Sequence, residues 1–373
     1  MPSCRRPNIR IYNKFEINEN GKHPTIKFIR TPSDVDIINQ NNLRYYEEWE
    51  EKEEQWIKDG LQQRIQKIPC GQCFCCRLEY SKQWATRCTL EAAAHPEWQN
   101  YFITLTYDEE HIHKTNKTKY KICKDTYVEY ENDGTWNGYL EPKDLTKFMK
   151  DLRAYYKYHY NHDGIRFFAC GEYGTKGQRP HYHLIVFNLP LNLKKIERVN
   201  VTKWGKEPVW YSSEIDEIWG NGLVAIGEVT WSSCAYVARY MMKKQKGEDE
   251  QTNNEHYLKK GQTPEFVRMS RRPGIGSDYY DINKDKIYCN DEIIMKTIKE
   301  NAASIKPPKY YDRKYDIDNP EMMEAIKEAR KQAMERAEKS RREKETYTYY
   351  ERLQIDARTM QEKGLRLKRG LEA

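Results

Sequence analysis

Two histidines one residue apart, His181 and His183 in the stretch RPHYHLIVF, have the types and spacing to do metal chemistry. Within a strand, residues i and i+2 project from the same face, so the two imidazoles sit side by side, as two ligands of one ion must. The flanking Tyr182 and Ile185 are expected to point elsewhere in the pleat. A third ligand follows from the pairing. If the run Arg166–Tyr173 turns at Gly174–Gln178 into Pro180–Phe187, Glu172 lies opposite His181 and Cys170 opposite His183. Glu172 then shares the face of both histidines. Two imidazoles and one carboxylate leave open positions on a divalent ion for water and a phosphate oxygen. A second pair, His111 and His113, lies in a polar stretch that no strand continues. For His181 and His183 the ordinary alternative is two surface histidines on an edge strand.

Tyr236 and Tyr240 are the second constellation. On a helix, residues four apart share a face, with a rise of roughly 6 Å between them. Two phenols so placed can reach one scissile phosphate in turn. A phenol with a pKa near ~10 is a weak nucleophile unaided, and a metal ion that draws charge from the phosphate lowers that barrier. Lys243 and Lys244 follow directly and suit a nucleic-acid backbone. The same spacing recurs at Tyr156/Tyr160 and Tyr311/Tyr315, where a helix face packed on a sheet accounts for it. Arg179 abuts the histidine strand. Arg271 and Arg272 lie beside glycines that let a backbone approach a phosphate, or form a solvated basic loop.

Cys70, Cys73 and Cys76 are spaced C-x2-C-x2-C. Three thiolates so close can hold Zn²⁺, with Cys4 or Cys88 as the fourth ligand; the plain alternative is packing cysteines ahead of a helix. No second CxxC pair completes a standard zinc module, and no thioredoxin-like strand–helix pattern supports a redox role.

The elements that must position these groups are intermixed strands and helices, an α+β pattern. Residues 1–40 read as irregular and 41–66 as a charged helix. A helix is predicted over Arg77–His95, then a strand over Tyr101–Tyr107. Residues 108–139 read as a polar loop or small hairpin. A helix opening at Pro142 carries Leu145, Phe148, Met149, Leu152 and Tyr156 on one face. A strand over Leu223–Thr230 leads to a helix capped by Ser232 or Ser233 and ended by Gly247. Residues 320–363, dense in Glu, Lys, Arg and Ala, read as a charged helical tail. The spacing of motifs suggests three regions: 1–68, 69–300 and 301–373.

Composition sets the frame. The chain has 373 residues and a net charge of +7, which permits nucleic-acid binding without requiring it. Its 29 tyrosines are expected to be mostly half-buried strand residues, though phenols also stack on bases. No stretch approaches the roughly 20 apolar residues of a membrane helix, so no membrane partner is expected. Met1–Arg10 is polar and basic, so no secretory leader is expected, and the cysteines read as reduced thiols or metal ligands.

Three stretches in order, FITLTY (Phe102–Tyr107), RPHYHLIVF (Arg179–Phe187) and YVARYMMKK (Tyr236–Lys244), resemble the three motifs of the HUH (histidine–hydrophobe–histidine) endonucleases. With PCGQCFCCR, GEYG and MSRRPGIG, residues 69–280 resemble the replication initiators of microviruses, single-stranded DNA bacteriophages, above all the gokushoviruses. The resemblance implies a central antiparallel sheet carrying the histidines, flanked by helices. It implies that His181 and His183 bind Mg²⁺ or Mn²⁺ and that Tyr236 and Tyr240 are the nucleophiles. Such initiators nick single-stranded DNA at the origin, leave a 5′-phosphotyrosine and a free 3′-OH, and later rejoin the strand, working with host helicase and polymerase in the host cytoplasm. Two alternatives stand beside this: a related HUH transposase or relaxase, and a zinc-containing nucleic-acid-binding regulator that does not cut.

Overall fold

The computed structural model describes residues 8–344, except 20–22, 31–39, 97–98, 115–116, 124–125, 132–137, 175–177, 192–195, 202–207, 244–256, 258–261 and 297–301, and adds Ile355, Arg358 and Thr359. The chain divides into two units, residues 1–79 with 328–373, and residues 80–327.

In the first unit β1 (Asn8–Asn13) pairs antiparallel with β2 (Thr25–Ile29) and β3 (Gln63–Ile68). The helix α1 (Gln40–Lys58) ends at Gly60, whose φ of +71° is the left-handed value a Schellman cap requires. Leu61 N–H closes that cap onto the Trp56 carbonyl at 2.7 Å. The strands correct the reading of 1–40 as irregular and of 41–66 as wholly helical. The described core here is small: Ile9 and Ile11 are buried, with Ile29, Trp49, Trp56 and Ile65 against them.

The second unit is built on a seven-stranded antiparallel sheet. Along the chain come α2 (Phe74–Ala93, shared with the first unit), β4 (Tyr101–Tyr107), the hairpin β5 (Lys117–Cys123) and β6 (Thr126–Glu131), and α3 (Pro142–Tyr160). Then follow β7 (Arg166–Tyr173), β8 (Pro180–Phe187), β9 (Ile196–Val201), β10 (Pro208–Ser212), α4 (Ser213–Trp219), β11 (Gly222–Glu228), α5 (Trp231–Lys243) and β12 (Phe266–Met269). The elements after the sheet are α6 (Ser277–Asn290), the pair β13 (Ile293–Lys296) and β14 (Ala302–Ile305), α7 (Lys309–Asp318) and α8 (Pro320–Lys344, shared with the first unit). The sheet order is β12-β7-β8-β4-β11-β10-β9.

The pleat sorts the sheet into two faces. Ile103, Leu105, Tyr107, Ala169, Tyr182, Leu184 and Val186 join Leu145, Phe148, Met149, Leu152 and Tyr156 of α3 in one core. That is the α3 face the sequence periodicity predicts. Phe168, Cys170, Ile185 and Phe187 point the other way, onto Trp84 and Cys88 of α2 and Cys234, Val237, Ala238 and Met241 of α5. Ile185 therefore continues the face of His183, correcting the expectation that it points elsewhere; residues two apart in a strand cannot do otherwise.

Helix α5 is capped by Thr230, not by Ser232 or Ser233. Thr230 Oγ1 accepts from Ser233 N–H at 3.2 Å, and Ser233 Oγ accepts from Thr230 N–H at 2.8 Å. This is a capping box with serine in the third position. Gly247, expected to end the helix, lies outside the described residues.

Candidate active site

The hairpin β7–β8 sets the site. Glu172 pairs with His181, Cys170 with His183 and Tyr173 with Pro180, the register the metal reading requires. On the other side β4 pairs Thr104 with His183 and Thr106 with His181. The two imidazoles thus lie on one interior strand of the sheet, β8, and not on an edge.

Their side chains converge. His181 Nε2 and His183 Nε2 each lie 2.7 Å from the same oxygen, Glu172 Oε1. His181 Nδ1–H donates to the Arg179 carbonyl at 3.0 Å, and His183 Nδ1 meets Thr104 Oγ1 at 2.9 Å. The outer nitrogens are thereby fixed and the inner ones aimed at one point, the usual second-sphere arrangement of metal-ligating histidines. The ring of Phe102 stacks on His183 with centroids 5.4 Å apart. The donor atoms of Glu172, His181 and His183 all lie within 4.8 Å of one another, which suits one small divalent ion.

Helix α5 brings Tyr236 to the same point. Its hydroxyl donates to Glu172 Oε1 at 2.8 Å and lies 3.5 Å from His183 Nε2. Tyr240, one turn on, is buried in the α2–α5 core with its ring 6.0 Å from that of Tyr236. Ser81 of α2 ties this helix down by donating to the Ala238 carbonyl at 2.9 Å.

The electrostatics follow from crowding round one carboxylate. Burial resists the charge of Glu172, but hydrogen bonds from the two histidines outweigh it and hold the carboxyl down at about 2. Burial also resists charge on His181, and the Glu172 hydrogen bond overcomes it, so His181 is raised. For His183 burial wins and the ring is lowered toward the neutral form. Burial, then the Glu172 charge, pushes the Tyr236 phenol well up. Arg239, half-buried on α5, opposes that rise by its positive charge. Arg239 and Thr104 are site residues the sequence reading missed. An arginine three residues after Tyr236 was the available signal for the first, and the alternation of FITLTY for the second.

Other expected residues fall in different places. Arg179 pairs with Glu109. Lys243 is the last residue of α5, and Lys244 lies outside the described residues. Arg271 and Arg272 are exposed in a turn whose following residues are tightly held. Arg166 donates to the Pro273 carbonyl at 2.7 Å, Arg87 to that of Ile275 at 2.9 Å, and Tyr311 to that of Gly276 at 2.6 Å. Gly276 N–H donates to the fully buried Glu91 at 2.6 Å, whose other oxygen lies 2.9 Å from Arg166 Nε. The second histidine pair does not converge: His111 sits on Asp108 and His113 on Asp144. Tyr156 and Tyr160 both reach Glu214, and Tyr311 and Tyr315 are packed in a core with α6. The Sγ atoms of Cys70, Cys73 and Cys76 lie within 4.8 Å of one another. Cys88 is instead wholly buried beside Cys234 in the α2–α5 core, and Cys4 lies outside the described residues.

Comparison with known proteins meets this geometry. A family model described as "Replication-associated protein ORF2/G2P" matches residues 100–245, from β4 to just past α5. The chain is 37% identical over 249 residues to "Replication-associated protein ORF2" of Spiroplasma virus 4, spanning 67% of this chain and 68% of that one. It is 28% identical over 255 residues to "Replication-associated protein VP4" of Bdellovibrio phage phiMH2K, 68% of this chain and 69% of the relative. It is 33% identical over 178 residues to "Replication-associated protein ORF4" of Chlamydia phage 1, 48% of this chain and 38% of the relative. No solved structure matches. Among the described residues no helix is long and apolar enough to cross a membrane. The matched span contains both histidines, Glu172 and both tyrosines, and the chain belongs to the replication-associated protein ORF2/G2P family.

Proposed function

We propose that the protein starts replication of a small circular single-stranded DNA phage genome in the host cytoplasm by nicking the origin and later rejoining the strand. The observation that carries this reading is the Tyr236 hydroxyl, held 2.8 Å from the carboxylate that both histidines share. Glu172, His181 and His183 would hold Mg²⁺ or Mn²⁺. Such an ion draws charge from a bound phosphate and lowers the barrier to attack by a phenol. Tyr236 is the first nucleophile: its hydroxyl gives up its proton as its oxygen bonds to phosphorus, the bond to the 3′ oxygen breaks, and that oxygen takes up a proton and leaves as a 3′-OH. The 5′ end stays on the phenol, and the 3′ end is left for a host polymerase once a helicase has opened the duplex. Arg239 beside Tyr236 offsets the negative charge on the phenol. Tyr240 serves the second cut, which must occur while the first 5′ end is still attached.

Lys243, Lys244, Arg179, Arg271 and Arg272 are assigned to the DNA backbone, and residues 69–300 to the chemistry. The family names of the relatives support a replication role. Against a transposase or relaxase stands the phage origin of those relatives; against a non-cutting regulator stands the convergence of Tyr236 on the metal ligands.

The test is a circular or short single-stranded origin substrate with Mn²⁺. A covalent adduct should form and peptide mapping should find it on Tyr236. His181→Ala and His183→Ala should abolish it while leaving most DNA affinity, which comes from phosphate contacts. Tyr236→Phe should lose at least about 100-fold in first-strand cleavage, as expected when a nucleophile is removed. Tyr240→Phe should cut once but fail at strand transfer. DNA on any other residue would refute the nucleophile assignment.

A further inference from the structure

We propose that Cys70, Cys73 and Cys76 bind one zinc ion through three thiolates, as a structural site in the first unit, made of residues different from those of the histidine site. The proposal stands whether or not the protein nicks DNA. Its basis is a knuckle between the end of β3 and the start of α2. Gly71 has a φ of +75°, which turns the chain back over Cys70. The N–H groups of Gln72 and Cys73 then donate to Cys70 Sγ at 3.4 and 3.3 Å. Amides pointed at a sulfur favour the thiolate, the form that binds metal. Cys73 directly precedes α2 and its carbonyl accepts the Arg77 N–H at 3.0 Å, so the next turn is helical and carries Cys76 back to the same point.

The distances agree. The three sulfurs lie within 4.8 Å of one another, and thiolates sharing one zinc at tetrahedral bonds sit roughly 3.8 Å apart, a small adjustment. Cys75, buried between Cys73 and Cys76 in sequence order, is not part of the trio.

There is also a physical need. The described core of this unit is little more than Ile9 and Ile11 with their neighbours. Small units with so little apolar surface are commonly completed by a metal, whose binding energy then becomes folding energy. An ion on Cys70, Cys73 and Cys76 would pin the end of β3 to the first turn of α2.

The experiment uses the full chain, purified without chelator. Elemental analysis should find roughly one zinc per chain that survives EDTA sufficient to strip the weaker ion from the histidine site. Exchange with Co²⁺ should give the intense near-ultraviolet charge-transfer absorption of thiolate–cobalt bonds. Cys70→Ser and Cys76→Ser, both at half-buried positions, should lose the zinc and that absorption. Cys289→Ser, an exposed thiol elsewhere, and His181→Ala should keep both. If Cys73→Ser fails to fold, the Cys70→Ser variant still decides, with circular dichroism to show that it is folded. Wild-type protein without the thiolate absorption, or an unchanged spectrum in Cys70→Ser, would overturn the proposal. So would thiol counting that finds a disulfide within the trio.

Discussion

Glu172 Oε1 is the acceptor on which three side chains converge: the Nε2 atoms of both histidines and the Tyr236 hydroxyl. Such sharing makes the metal-free site sensitive to pH, and the sign can be worked out. The folded-state carboxyl of Glu172 lies at about 2, below its ordinary 4.5, so its contribution is present above 4.5 and is lost as pH falls toward 2. His181 is raised above 6.5, so its contribution is present below 6.5 and is lost as pH rises through its folded value. His183, lowered by burial, works against the fold below 6.5. In EDTA, the stability advantage of the natural protein over Glu172→Gln should therefore be largest between pH 4.5 and 6.5 and shrink on both sides. Melting curves across pH check it, and a constant difference would contradict the shared-carboxylate picture. Thr104 gives a cleaner test of the second sphere. Thr104→Val keeps the shape but removes the partner of His183 Nδ1, and should raise the Mn²⁺ concentration needed for half-maximal nicking about 10- to 100-fold. At saturating metal the rate should change much less.

At the scale of the element, the site was legible where it is local. The β7–β8 hairpin places Glu172 opposite His181 by counting through one turn, and the structure has that register. The face of α3 was equally legible, since Leu145, Phe148, Met149, Leu152 and Tyr156 repeat at helical spacing. Thr104 was hidden because its role needs a strand 79 residues away in sequence, and no local pattern encodes that pairing. Strands β1 and β2 were hidden for another reason: β1 does alternate, with Ile9 and Ile11 buried, but it is six residues long and lies among prolines, while most residues of β2 are exposed, so the burial alternation of a half-buried strand is absent there. The β4–β11 junction offers a test of backbone logic. Gly222 has a φ of +142°, and a Cβ there would collide with the backbone of Thr106, Tyr107 and Asp108. Gly222→Ala should cost more than about 2 kcal/mol, because the strain and the clash both fall on backbone that cannot move aside. Chemical denaturation measures it.

On the scale of the whole sheet unit, distant elements meet in a buried charge network. Arg166 from β7 and Glu91 from α2 form an ion pair with Glu91 fully buried, and both also hold the turn after Arg272. Removing one member leaves the other charge stranded. Arg166→Met should cost about 3–5 kcal/mol, and Glu91→Leu added to it should restore part of that loss. Urea titration of both variants is the measurement; equal midpoints for the natural chain and Arg166→Met would show the pair to be irrelevant. This network could not be read from the sequence, because Glu91 and Arg166 lie 75 residues apart, the turn they hold lies more than a hundred residues beyond Arg166, and neither charged residue belongs to a recognisable motif.

The division of the site between a hairpin and a helix also bears on how the protein is made. Glu172, His181 and His183 belong to one antiparallel turn of chain, whose closure needs only a short loop. Tyr236 reaches them on a helix that follows β11, the strand that pairs with β4 more than a hundred residues earlier. Contacts of such long sequence separation form late, both in synthesis and in folding. On the proposed function, the three candidate ligands can thus be assembled before Tyr236 stands beside them. If the proposed chemistry holds, a nascent or half-folded chain would be able to take up an ion yet remain unable to break a DNA strand, and cutting competence would be a property of the finished fold.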